Sequence, residues 1–186
     1  MRNIRITSTP VPGVKGIEED PQVDARGFFS RVFCKRELAS LFGERQIVQI
    51  NHSKTIALGA VRGLHFQFPP HCEAKLVCCL KGRVWDVAVD LRKGSPTFLC
   101  WHAEELSPEG RCSLFIPEGC AHGFQVLESE SELLYLHTAF YAAEAEGGLR
   151  FDDPRLAIKW PLAVVGLSER DRQHPLLSDD FAGISL

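Results

Sequence analysis

A chain of 186 residues with a formal net charge of −3 and a pI near 6.2 is long enough to bury a sizeable core within one domain. Its lysines and arginines form no clustered stripe, which argues against nucleic acid as a partner, and no apolar run reaches membrane-spanning length. The seven cysteines, Cys34, Cys72, Cys78, Cys79, Cys100, Cys112 and Cys120, are odd in number and include no CxxC pair, so reduced thiols are expected rather than a disulfide framework or zinc site. The N-terminus lacks the apolar middle of a secretion signal, and a cytoplasmic location is expected.

In chain order, "KRELASLFG" predicts about two helical turns ending at Gly43. "IVQINHSKT" alternates around Ile47, Val48 and Ile50 and reads as a strand. "VRGLHFQ", residues 61–67, is a further strand, burying Val61, Leu64 and Phe66 while carrying Arg62, His65 and Gln67. "KLVCCLKGRVWDVAVDL" holds two strands with Lys81-Gly82 at the turn. The second places Val84, Asp86, Ala88 and Asp90 on one face and Trp85, Val87, Val89 and Leu91 on the other. "RCSLFIPEGCAHGFQVL" and "ELLYLHTAFY" continue the series, and "LSERDRQHPLL" predicts a short helix stopped by Pro175. Many short strands with frequent Gly, Pro and Ser punctuation predict an all-β fold, a sandwich or jelly-roll barrel, with a few short helices. One domain spans residues 1–186, and about 177–186 reads as a loosely ordered tail.

The polar residues on these strands need a reason. Arg62 and His65 lie three apart, so strict alternation puts them on opposite faces; Gly63 is the place for a bulge that would re-aim Arg62. The plain reading of His65 is a core histidine bonded to a carbonyl, and that of Lys75 a strand-end residue whose head reaches solvent. Tyr135 would by default pack with its hydroxyl at a rim, and Asp171 would lie on a helix surface. The functional reading puts His65, Lys75, His122 and Tyr135 inside the barrel mouth. A metal site is a poor fit. Gln67 stands where a second ligand histidine would be needed, Glu73 lies beyond a double proline, and His52, His71, His102 and His174 show no ligand spacing. There is no GxGxxG, P-loop or GxSxG motif. A base, a fixed cation and a phenol remain, a set suited to removing a proton beside a carbonyl without a cofactor.

The ordered blocks "DARGFFSRVF", "QINHSK", "VRGLHFQ", "AKLVCCLKGRVWDVAVDLRKGSPTF", "LFIPEGCAHGFQVL", "ELLYLHTAFY", "EGGLRFDDPRLAIKWP" and "LSERDRQHPLL" closely resemble the dTDP-4-dehydrorhamnose 3,5-epimerases over about residues 10–177. The resemblance implies a cupin homodimer, residues 1–30 contributing to the dimer, that acts on a nucleotide-linked 4-keto-6-deoxysugar without metal or organic cofactor. It implies His65 as catalytic base, Asp171 as its support, Lys75 at the C4 keto oxygen and Tyr135 as proton donor on the opposite sugar face. It implies substrate contacts from Arg62 and His122 near the diphosphate, from Gln49, Asn51, Gln67 and Glu146 around nucleotide and sugar, and from Tyr141 nearer the nucleotide. Arg26 would be lent to the base by the neighbouring subunit. Arg31 stands where close relatives carry a base-reading glutamate, Ile50 where one often has Asp, and Glu73 where Gln is frequent. The alternatives are a single-position epimerase or one using another nucleotide, a non-catalytic nucleotide-sugar-binding cupin, and a metal-dependent cupin oxygenase.

Overall fold

The structure, a computed structural model, describes residues 4–186. In chain order the strands are β1 (Ile4–Ser8), β2 (Lys15–Glu19), β3 (Gln22–Asp24), β4 (Gly27–Phe29), β5 (Gln49–Thr55), β6 (Val61–Gln67) and β7 (Lys75–Lys81). They continue with β8 (Val84–Asp90), β9 (Trp101–Leu106), β10 (Cys112–Ile116), β11 (Cys120–Val126), β12 (Ser131–His137) and β13 (Glu146–Gly148). Two short helices, α1 (Ala39–Phe42) and α2 (Glu169–Gln173), lie where the sequence places them, next to Gly43 and ahead of Pro175. No helix among the described residues is long and apolar enough to cross a membrane.

Two antiparallel sheets face one another, the layout of a cupin jelly roll. One runs β1-β2-β10-β7-β12-β5 and the other β13-β6-β11-β8-β9. The space between them is filled by Val77, Val84, Ala88, Leu114, Phe124 and Leu133, all buried. The alternation predicted along β8 holds: Val84 and Ala88 belong to this interior, while Val87, Val89 and Leu91 pack on the outer face. That outer face is covered by the C-terminal segment through Leu149, Leu156, Leu177 and Ile184. Residues 177–186 are therefore not a loose tail. Ile184 is 4% exposed, its N–H donates to the Leu91 carbonyl at 2.7 Å, and Lys93 N–H donates to Ile184 O. Composition at the chain end hid this, because the docking partners are distant in sequence. The other sheet is covered outside by Leu38 and Phe42, which pack with Leu76, Phe115 and Leu136.

The feature that shapes the site is a bulge in β6. His65 faces His122 of β11, but Arg62 faces Phe124, so three steps of β6 oppose two of β11. The extra residue resets the alternation and brings both Arg62 and His65 to the walls of one cavity. Gly63 is required there. Its φ is +121°, and a Cβ would lie 2.6 Å from Gly123 Cα and 2.8 Å from the His122 carbonyl oxygen. Gly63→Ala is expected to destabilise the fold by about 3 kcal/mol, combining a strained backbone with a clash that backbone atoms cannot relieve. Thermal unfolding should show a fall in Tm of roughly 6–12 °C; an unchanged Tm would mean that the bulge adapts.

Candidate active site

One cavity of about 280 Å³ opens between the sheets. The five-stranded sheet contributes Arg62 and His65 from β6 and His122 from β11; the six-stranded sheet contributes Asn51 and Ser53 from β5, Lys75 from β7, and Tyr135 and His137 from β12. Glu73, Tyr141, Glu146 and Arg170 complete most of the wall. An adjoining cleft shares Arg62, His65 and Arg170 with the cavity and adds Ser168 and Asp171, so His65 stands between two accessible spaces.

His65 Nε2 lies 2.7 Å from Asp171 Oδ1. Asp171 is buried, and Oδ2 accepts the Gly63 N–H at 3.4 Å. α2 aims this carboxylate: the Ser168 hydroxyl oxygen accepts the Asp171 N–H at the helix start. Burial alone raises the Asp171 carboxyl, but the His65 hydrogen bond and charge, with the Gly63 N–H, outweigh it and hold the group below the usual range. A carboxylate at Nε2 favours the tautomer protonated there, whose lone pair lies on Nδ1. Arg170 Nη2 lies 3.2 Å from His65 Nε2, and Arg170 Nη1 donates to both oxygens of Glu146 at 2.9 and 3.0 Å. The Tyr141 hydroxyl donates to Glu146 at 2.9 Å, so a rim of Tyr141, Glu146 and Arg170 surrounds the histidine.

The facing sheet carries the other groups. Tyr135 is bonded to the Ser53 hydroxyl at 3.1 Å, and burial pushes its phenol well above the ordinary range, so the hydroxyl keeps its proton. Lys75 is 7% exposed in its side chain, with Nζ 2.8 Å from Glu73 Oε1. The other Glu73 oxygen, Oε2, accepts from His137 Nδ1 at 2.7 Å. Burial by itself raises Glu73; the His137 hydrogen bond and the Lys75 charge outweigh it and set the carboxyl at about 2. A carboxyl lowered from 4.5 contributes stability that is present above pH 4.5 and lost as pH falls toward 2, of order 3 kcal/mol in full. Glu73→Gln should lack that acid slope, so denaturant melts at pH 7 and pH 3 should converge for variant and wild type; parallel curves would refute the pairing. Opposite His65, the buried His122 bonds Asp86 Oδ1 at 2.8 Å, while Asp86 Oδ2 is buried without a partner among the described residues.

Of the residues singled out from sequence, Arg62, His65, Lys75, His122, Asn51, Tyr135, Tyr141 and Glu146 meet around the cavity and Asp171 stands directly behind His65. Gln67 does not. Its amide donates to the His71 and Phe140 carbonyls and accepts the Ala142 N–H, making it a buried clamp for the loop that carries Tyr141. Gln49 supports the rim from behind, accepting the Tyr141 N–H and donating to Asn51. Arg26 lies on the exposed β3–β4 hairpin paired with Asp24, and Arg31 is paired with Glu37; within this chain neither reaches the cavity. Sequence reasoning weighed Glu73 only as a poor metal ligand and a family departure beside the site, and gave no role to His137, Asp86, Arg170 and His174. The first four had a signal, an ionisable residue on or beside an apolar strand or next to Asp171. His174 had none. Its ring lies 5.8 Å from that of His65, in space left by Gly148, where a Cβ would fall 2.2 Å from the imidazole.

His65, Asp171 and His174 are the three metal-ligating side chains that gather among the described residues, their ligand atoms within 4.8 Å of one another. Asp171 Oδ1 is taken up by His65 Nε2, and the Arg170 guanidinium beside that nitrogen opposes a second cation.

A double-sheet barrel with a carboxylate-supported imidazole on one wall and an ammonium and a neutral phenol on the other defines a cupin built for acid–base chemistry. Comparison with known proteins makes the assignment more specific. The sequence model of the dTDP-4-dehydrorhamnose 3,5-epimerase family matches residues 8–179. A dTDP-4-dehydrorhamnose 3,5-epimerase of Sinorhizobium fredii is 42% identical over 173 residues, covering 92% of this chain and 89% of the relative. A dTDP-4-dehydrorhamnose 3-epimerase of Streptomyces niveus is 37% identical, covering 95% and 85%. The crystal structure of a Legionella pneumophila dTDP-6-deoxy-D-glucose-3,5-epimerase in complex with dTDP-4-keto-L-rhamnose superposes with a TM-score of 0.88 at 40% identity, covering 93% and 92%. The chain belongs to the dTDP-4-dehydrorhamnose 3,5-epimerase family, a family of isomerases.

Proposed function

We propose that the protein inverts C3 and C5 of a dTDP-linked 4-keto-6-deoxyglucose by proton abstraction and return. The observation that carries this reading is the placement of the two proton-transfer groups. His65 belongs to one sheet, with Asp171 of α2 directly behind it, and Tyr135 belongs to the sheet that faces His65 across the cavity. Inversion needs loss of a proton from one side of the ring and return from the other. His65 Nδ1 takes the C–H proton next to the C4 carbonyl, and Asp171 stabilises the imidazolium that forms. The Lys75 ammonium holds the developing enolate oxygen, and Tyr135 protonates the opposite face. Arg62, the exposed arginine at the mouth, pairs with the diphosphate, and His122, held by Asp86, backs the cavity.

The homodimer is part of this reading. The β3–β4 hairpin exposes Val23, Phe28 and Phe29, at 69%, 59% and 71%, more apolar surface than an isolated hairpin tolerates in water, and it carries Arg26. Docked on a second copy, the hairpin places Arg26 at that copy's nucleotide. The reaction runs in the cytoplasm. A single-position epimerase is the second reading, favoured by the similarity to the Streptomyces niveus 3-epimerase.

The experiment is NMR of dTDP-4-keto-6-deoxyglucose in D2O with purified enzyme and no reductase. Deuterium at both C3 and C5 is the expected result. Label at one carbon moves the function to the second reading, and no label with any of several nucleotides rejects epimerisation.

A further inference from the structure

Behind the proposed oxyanion group lies a set of contacts that the mechanism above does not use. Lys75 and His137 are direct cross-strand neighbours of β7 and β12, and Glu73, just ahead of β7, bridges them through its two carboxylate oxygens. The far nitrogen of His137, Nε2, lies 3.4 Å from the Asn51 amide nitrogen, and its ring stacks at 6.0 Å from that of Tyr135. Because Nδ1 donates to Glu73, Nε2 is the acceptor for the Asn51 amide; donation runs from Asn51 through His137 to Glu73, and Lys75 donates to the same carboxylate from the other side. Every member lines the cavity.

An ammonium on a four-carbon stem has three donors and many rotamers. Glu73 is the hydrogen-bonding partner of Lys75 Nζ among the described residues, so one donor is tied down and two remain for the cavity. An anion this close also dampens the charge that a substrate oxygen would feel, and His137 offsets that by drawing on the other carboxylate oxygen. We infer that Glu73 and His137 are positioning residues that aim the Lys75 ammonium at the substrate carbonyl, Glu73 by anchoring one N–H and His137 by holding Glu73. This rests on the epimerase reading.

The test is a double-mutant cycle on the deuterium-exchange reaction, with kcat and KM measured separately. Glu73→Leu removes both acceptor oxygens. It should lower kcat about 10- to 100-fold, the loss expected of a misplaced catalytic group, with KM within about threefold. Glu73→Gln, which keeps one acceptor for the lysine, should recover most of that loss. In a Lys75→Met background Glu73→Leu should alter kcat by less than about twofold, because its effect runs through the lysine. His137→Val should lower kcat about tenfold, and His137→Asn, which keeps a donor near the Nδ1 position, should recover most of that loss. A merely structural pair would instead give losses that multiply with Lys75→Met, and that result overturns the proposal, as does wild-type kcat in Glu73→Leu. Should Glu73→Leu fail to fold by circular dichroism, the His137→Val and Lys75→Met cycle makes the same decision. The wild-type arm separates the two readings. Exchange by wild type with an unaltered Glu73→Leu removes only this inference, whereas no wild-type exchange removes the epimerase reading and this inference with it.

Discussion

His65→Ala is expected to lower the rate of deuterium exchange at the sugar carbons by about 10²- to 10⁴-fold, the contribution of a positioned base, while binding of dTDP changes little. The side chain projects from β6 just past the bulge, with Asp171 at 2.7 Å favouring Nε2 as the donor and the lone pair on Nδ1. Removing it empties part of the cavity wall without touching the core, since Leu64 and Phe66 pack on the opposite face of the sheet. Asp171→Asn should show a loss in the same direction, because the amide no longer dictates the tautomer. Calorimetry with dTDP, run beside the exchange assay, separates lost chemistry from lost binding. Exchange by the alanine variant at near wild-type rate would take His65 out of the base role and turn attention to His122 on the facing strand, which is held by Asp86.

The second large effect is qualitative. Tyr135→Phe is expected to keep exchange by His65 but reduce formation of inverted product about 10²-fold or more, because the proton taken from one face can then return only to that face. The phenol is buried, bonded to Ser53, and held protonated by its surroundings, so loss of its hydroxyl removes a donor rather than a base. The ring itself packs against the interior core, and phenylalanine preserves that contact. Product analysis by NMR with deuterium tracking reads both steps in one experiment: label should accumulate in unepimerised substrate. Loss of exchange and inversion together would make Tyr135 part of the abstraction step.

The comparison of these residues shows where sequence reasoning was sufficient. Alternation along β8 and the turn at Lys81-Gly82 followed from side-chain period, which depends only on neighbours in the chain. So did the short helices, with their end at Gly43 and their stop at Pro175. The ordered motif blocks carried the family and with it His65, Lys75, Tyr135 and Asp171. Other features needed the third dimension. Gly63 was legible as the place for a bulge that re-aims Arg62, and the register bears it out, but its fit against Gly123 is a contact between strands far apart in sequence. Gln67 shares a motif with His65, yet its amide bonds the His71 carbonyl and the 140–142 loop instead of facing the cavity.

What the sequence by itself determined, then, is the strand period, the single barrel, the family and the chemical inventory, all of which are local or cumulative properties of residue order. What only the tertiary structure decided is which ionisable groups share a cavity and in what pairs. Glu73 and His137 are 64 positions apart and meet at 2.7 Å; His65 and Asp171 are 106 apart and meet at the same distance. Pairing of this kind is fixed by strand register and by the burial that makes an unpaired charge costly, and neither can be read from one strand alone.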